Sequence, residues 1–212
     1  VFRVDLDRKD NRLGARALVQ TAVYEGDDNA LLRIEPGDLS RMSDQYERAR
    51  DAYLMALDLG LASGDLDRNL GISYEQLEQD QLAEDHFKAA LEKNPNDPYT
   101  LNYLGYWWAD DGRNLEEAIK LIEQAVRLRP RSGYFVDSLG WVHYKLGNYD
   151  LAVAFLEKAT MLEPMDAVIT GHLGDAYWET GRVAEARFKW QYALTIAAEE
   201  ELKAEFTAKL KQ

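Results

Sequence analysis

Apolar residues recur three and four positions apart along most of the chain, and short polar links such as Gly147-Asn148 and Gly181-Arg182 interrupt them at regular intervals. That spacing keeps apolar side chains on one face of a helix with about 3.6 residues per turn. The chain therefore reads as a succession of amphipathic helices separated by breaks at Asp80, Gly112, Gly147 and Gly181. Pro95, Pro130 and Pro164 follow alternate helices and end them, because proline has no amide hydrogen to donate and its ring clashes with the preceding turn. The predicted element is a helical hairpin.

The hairpin repeats. Leu70-Gly71, Leu104-Gly105, Leu139-Gly140 and Leu173-Gly174 align at offsets of 34, 35 and 34 residues (Gly71 to Gly105, to Gly140, to Gly174). Each pair is followed by an alanine at Ala83, Ala118, Ala152 or Ala186, and then by another at Ala90, Ala125, Ala159 or Ala193. Gly37, Ala49 and Ala56 fit one earlier unit, and Ala15 and Ala22 the second half of another. The expected organisation is a partial repeat over 1–29, a divergent repeat over 30–63, and repeats over 64–97, 98–132, 133–166 and 167–198. A capping helix follows over 199–212, where Leu202, Phe206 and Leu210 recur every four residues with charges between them. Asn114 lies in a link one residue longer than the others, so that turn is expected to bulge. Pro36 falls inside the first helix of the unit starting near residue 30, where it should kink or delay the helix.

A glycine inside a helix costs about 1 kcal/mol relative to alanine. A sequence that repeats Gly71, Gly105, Gly140 and Gly174 in mid-helix opposes its own local propensity, so a tertiary contact must compensate. Close approach of the two helices, with no Cβ between them, is the simplest such contact. The alanines on the second helix serve it from the other side.

Composition narrows the function. Asp and Glu number 38 against 25 Lys and Arg, a formal net charge of −13, which disfavours a partner presenting a dense row of phosphates. No apolar run reaches the roughly 18 residues that span a bilayer. The start VFRVDLDRKD has neither an initiator Met nor the apolar core of a signal peptide, as expected of an excised or processed piece. The absence of Cys excludes disulfides, thiolate metal sites and a cysteine nucleophile, and it fits oxidising and reducing compartments equally.

The order Leu-Gly, then an aromatic (Tyr74, Trp108, Tyr177), then Ala, a bulky apolar residue (Phe87, Ile122, Leu156, Trp190), Ala and Pro resembles the tetratricopeptide repeat. The resemblance implies an all-α fold, a right-handed superhelical solenoid of antiparallel helix pairs whose first helices line a concave groove. In that arrangement the groove receives Arg68, Tyr99, Asn102, Tyr106, Asp110, Tyr134, Asp137, Trp141, Lys145 and Asp175, an aromatic surface with a mostly acidic rim. Rings supply contact area at little entropy loss, Asn can bond a peptide backbone, and carboxylates favour Lys or Arg on a ligand. Trp107, Trp108 and Trp190 are expected in the packing instead. Relatives that clamp a C-terminal carboxylate do so with Lys, Arg and Asn; only Arg68, Asn102 and Lys145 are of that kind here, so such a clamp is not expected.

Residues 66 to 195 further resemble a group of exported proteobacterial tetratricopeptide proteins, some of which are lipoprotein adaptors for carboxy-terminal processing proteases. The resemblance implies a bacterial envelope location, periplasmic or outer-membrane-associated, with a cytoplasmic location as the alternative. It implies a protein or peptide partner, such as an envelope protease or its substrate, and a non-catalytic scaffold. Two alternatives remain open: an array that assembles with copies of itself, and the regulatory arm of an enzyme whose catalytic part lies outside this chain.

Candidate chemistry is thin beside this. Ser138 and His143 are five apart on one helix, about 140° round from each other, and cannot form a nucleophile and base pair. His143 occupies the slot held by Tyr74, Trp108 and Tyr177 elsewhere and reads as a packing residue. His86 and His172 lie in nonequivalent positions without a second His at helical spacing, so no metal is expected. The acidic stretches from Asp5 and from Gly64 put neither Gly at the sixth nor Glu at the twelfth position of a calcium loop. No cofactor is expected either. Replacing Gly140 or Ala152 with Leu should overpack the helix contact and lower stability by about 1 to 3 kcal/mol, read as a fall in melting temperature.

Overall fold

The structure, a computed structural model, describes residues 39–58 and 60–212, with side chains from Tyr46 onward. Among the described residues there are ten helices and no strands: α1 (Leu39–Asp58), α2 (Gly64–Gln76), α3 (Asp80–Lys93), α4 (Pro98–Asp110), α5 (Leu115–Leu128), α6 (Gly133–Lys145), α7 (Tyr149–Leu162), α8 (Ala167–Glu179), α9 (Val183–Ile196) and α10 (Glu200–Lys209). They fall into two compact units divided between Pro95 and Asn96. In the first, α1 packs on α2 and α2 pairs with α3. In the second, α4 pairs with α5, α6 with α7 and α8 with α9, each pair meets the next, and α10 packs on α9 and α8.

Two kinds of local chemistry start these helices. First helices of the pairs begin on a side-chain cap: Ser63 Oγ accepts from the Leu66 amide, Asp97 from Thr100, Ser132 from Phe135 and Asp166 from Ile169. A short polar side chain at that place satisfies an amide that has no partner within the helix. Second helices have no such cap and follow a left-handed link instead, at Glu78 (φ 57°), Gly112 (67°), Gly147 (77°) and Gly181 (76°). In the first complete pair the break therefore falls at Glu78 rather than at Asp80, which is already the first residue of α3. The additional residue of the second link is absorbed by Asn114, which itself adopts φ 49°, ψ 32° and precedes α5; asparagine tolerates this region better than most residues.

Close approach is the contact that the mid-helix glycines serve. A Cβ at Gly71 would lie 2.8 Å from the Phe87 ring, at Gly105 2.7 Å from Ile122, at Gly140 2.6 Å from Leu156 and at Gly174 2.5 Å from Trp190. All four partners are essentially sealed from solvent, as are Ala83, Ala118, Ala152 and Ala186. The slot that carries Tyr74, Trp108, His143 and Tyr177 is buried in every pair. His143 stacks on Phe155 at 5.4 Å, and burial pushes its imidazole down in pKa, toward the neutral form. Ser138 Oγ donates to the Tyr134 carbonyl at 3.0 Å, a bond within its own helix turn. Trp107, Trp108 and Trp190 are buried, as packing requires.

The 34-residue register is weaker toward the start of the described chain. Leu39–Asp58 runs as one 20-residue helix. No glycine stands where the link of an earlier unit would fall, in Met42-Ser43-Asp44-Gln45, so nothing locally favours a left-handed break. The expected effect of Pro36, and the units assigned to 1–29, lie outside the described residues.

The two classes of glycine should respond differently to alanine. Gly174→Ala would ordinarily gain helix propensity, but Trp190 is 2% exposed and bonded through its ring nitrogen, so the substitution should lose about 1 to 3 kcal/mol. Gly147→Ala meets open space and should lose only about 1 to 2 kcal/mol, from backbone strain. Urea denaturation of the full chain measures both, and a stabilised Gly174→Ala would refute the close-packing account.

Candidate functional site

Nine of the ten residues expected on the first-helix face lie in the second unit; Arg68 lies in the first, on α2, with its guanidinium on Asp65 at 3.0 Å. Within the second unit, helix periodicity carries Asn102, Tyr106 and Asp110 along α4, and Tyr134, Asp137, Trp141 and Lys145 along α6. Polar contacts and ring contacts reach from each first helix to the next.

Asp110, at the end of α4, accepts a hydrogen bond from Trp141 Nε1 at 3.0 Å. Lys145 Nζ donates to the Asp110 carbonyl at 2.8 Å and lies 3.4 Å from its carboxylate and 5.1 Å over the Trp141 ring. The Trp141 ring stacks on Tyr144 (4.8 Å) and on His172 of α8 (4.0 Å). His172 Nδ1 in turn meets both oxygens of the buried Asp137, at 3.0 and 3.1 Å. Asp175 accepts from Trp190 Nε1 at 2.9 Å and from Lys209 Nζ of α10 at 2.8 Å. The acidity expected of this face is thus offset within the chain by Lys145, His172 and Lys209, while Trp141 and Tyr106 are only half-buried.

Burial raises the Tyr106 hydroxyl pKa, and the charges of Asp110, Asp137 and Glu205 raise it further, so it remains a neutral donor. The Oδ1 of Asn102 is buried and has no hydrogen-bond partner, an acceptor of the kind that is usually satisfied. Tyr99 and Tyr134 are half-buried as well, and each makes ring contacts within the chain. Tyr99 packs edge-on against Phe135 at 5.8 Å with Arg129 over its ring at 4.9 Å. Tyr134 packs against the cluster of Val136, Ala159 and Ile169.

Three participants escaped the sequence reading: His172, Glu205 and Lys209. The reading projected equivalent positions of each repeat onto one face, whereas these residues sit one place off that series or in the capping segment. A signal was available. Asp137 and His172 are 35 residues apart, and Asp175 and Lys209 are 34 apart, so an acid and a base one repeat apart mark a contact between successive first helices.

The tetratricopeptide repeat family matches residues 37–98, 109–167 and 138–201. The chain is 33% identical over 149 residues to TPR repeat-containing protein PA4667 of Pseudomonas aeruginosa, covering 68% of this chain and 24% of the relative. It spans 22 to 24% of the length of the curated relatives it matches. Among solved structures it is similar to the thermophilic protein TTC0263 of Thermus thermophilus, with TM-score 0.68 and 22% identity over 82% of this chain and 98% of that one. It is also similar to Pseudomonas aeruginosa PilF, with TM-score 0.67 and 18% identity over 96% and 92%. At those identities the structural likeness concerns the fold.

Burial of His172 disfavours its charged form, but the charge of Asp137, its hydrogen bond and the charge of Asp175 outweigh burial and the opposing Lys209, raising the imidazole pKa above its usual value. A raised folded pKa means that protonation favours the folded state. The stabilisation is fully present below the unfolded pKa of about 6.5 and is lost as pH rises through the folded value. Denaturation of wild type and His172→Gln across pH 5 to 9 should show the wild-type advantage largest at the acid end and shrinking with pH. A gap that is constant or widens with pH would contradict this.

Proposed function

The chain belongs to the tetratricopeptide repeat family, and from that premise we propose that it is a non-catalytic scaffold holding a peptide or protein segment on the first-helix face of its second unit. The observation that carries this reading is the unsatisfied Oδ1 of Asn102 beside the half-buried rings of Tyr106 and Trp141. A buried acceptor without a donor is unfavourable by about 1 to 3 kcal/mol, and turning the Asn102 side chain outward onto a backbone N–H of an incoming segment would satisfy it. Repeat arrays in general use their first-helix surfaces as extended platforms for other chains.

Internal neutralisation shapes the partner. Asp110, at 51% side-chain exposure, is the most open carboxylate of the network, and Lys145 already stands over it. The segment that fits this face is therefore chosen by ring contact and backbone hydrogen bonding, with a basic residue adding a secondary preference. The resemblance of residues 66 to 195 to exported proteobacterial proteins supports an envelope location and an adaptor role that brings a processing protease to its substrates. Among the described residues, no helix is long and apolar enough to cross a membrane.

A photo-crosslinking residue placed at Tyr106, and separately at Phe188, which is 70% exposed on α9, tests the face in intact cells. The expected result is a discrete adduct from position 106 that disappears with Asn102→Ala and is absent from position 188. Equal labelling from both positions, or none from 106, would overturn the assignment, and an adduct with a second copy of this chain would establish self-assembly instead.

A further inference from the structure

The last helix differs from every other in how it is held. α10 has a single buried side chain, Phe206, whereas its neighbour α9 has three and α8 seven buried residues. It has no side-chain cap at its start, and it follows α9 after the three residues 197–199, with Ala197 and Glu199 extended. Ten residues of helix are marginal in water by themselves, so its order depends on the slot it fills.

That slot is specific. The Phe206 ring lies over Gly171, where a Cβ would come within 2.5 Å of it. Lys209 Nζ bonds Asp175, and Leu202 and Leu210 lie against the core around Trp190 and Ala197. Arg187 donates to the Leu210 carbonyl at 2.8 Å. Phe206 and Lys209 fall 34 residues after His172 and Asp175, so α10 docks where a next first helix of the array would dock. The positions on it that would face a second helix, Ala204 and Ala208, are exposed.

We propose that the slot on α8 and α9 is a second binding surface, with α10 as its resident and exchangeable occupant, and that it accepts a partner helix patterned Leu-x-x-x-Phe-x-x-Lys-Leu as α10 is. Glycine at 171 admits the ring, Asp175 selects the lysine three residues on, and the leucines one turn to either side close over the apolar floor. A short tether gives α10 a high effective concentration, so a partner of similar intrinsic affinity displaces it only when α10 is loosened or the partner is held nearby. Local opening of so lightly held a segment belongs to the low end of the stability range within a protein.

The test uses a fluorescent peptide of residues 199–212 and the full chain in three forms: wild type, Phe206→Ala/Lys209→Ala, and that double variant carrying Asp175→Lys as well. In anisotropy titrations the peptide should bind the double variant at least about tenfold more tightly than wild type, and Asp175→Lys should abolish the gain. The same peptide with Phe206→Ala should not bind. Equal binding to wild type and double variant, or no binding to a double variant of native helicity, overturns the proposal. So does loss of cooperative unfolding in the double variant, since α10 would then be an integral part of the core. The titration reads occupancy of the slot on α8 and α9, whereas crosslinking from position 106 reads contacts made at α4.

Discussion

Each of the four described helix pairs rests on one contact: a mid-helix glycine on the first helix receiving a large apolar side chain from the second. At Gly71, Gly105, Gly140 and Gly174 the space of a Cβ is already filled by Phe87, Ile122, Leu156 and Trp190. The backbone entropy lost at each glycine is offset by burial of a complete ring or branched chain. The size of the inserted residue varies from Ile to Trp while the glycine does not, so tolerance lies on the second helix and constraint on the first. Replacement of the inserted residue can be met by repacking; a methyl added opposite it meets a side chain that is already fully enclosed.

Once the pairs are fixed, polar contacts of the second unit run from first helix to first helix. Asp110 to Trp141 and Lys145, Asp137 to His172, and Asp175 to Lys209 join the alternate helices α4, α6, α8 and α10. Most of these groups are part-buried, where an unpaired charge is unfavourable, so each partner is needed chiefly because the other is there. The arrangement also offsets most of the carboxylate charge of this face within the chain. Tyr106 and Trp141 remain half-buried on this face, and the Asn102 Oδ1 beneath it stays without a hydrogen-bond partner.

Legibility of the site followed the same division. Asn102, Tyr106, Asp110, Asp137, Trp141, Lys145 and Asp175 could be placed on their helices because a period of 3.6 within a helix and of 34 between helices are both visible in a string of letters. Which of them are occupied could not. Asp137 reads as an exposed carboxylate until His172, one repeat later and one position off the equivalent place, is seen on it. Tyr99 and Tyr134 read like Tyr106, yet Phe135 and the Val136 cluster engage their rings. Residue 78 shows the converse: the break was expected at Asp80, and the left-handed turn is made two residues earlier, at Glu78.

The sequence by itself determined the helix class, the pairing, the period and the glycine contact, since each of these is a short-range or strictly periodic property that local stereochemistry enforces. Only the tertiary structure decided which carboxylates are engaged by neighbours, that α1 runs unbroken, and that the last helix buries a single side chain, Phe206. Those outcomes depend on distances between residues far apart in the chain, which are set by how whole helices seat against one another rather than by any local preference.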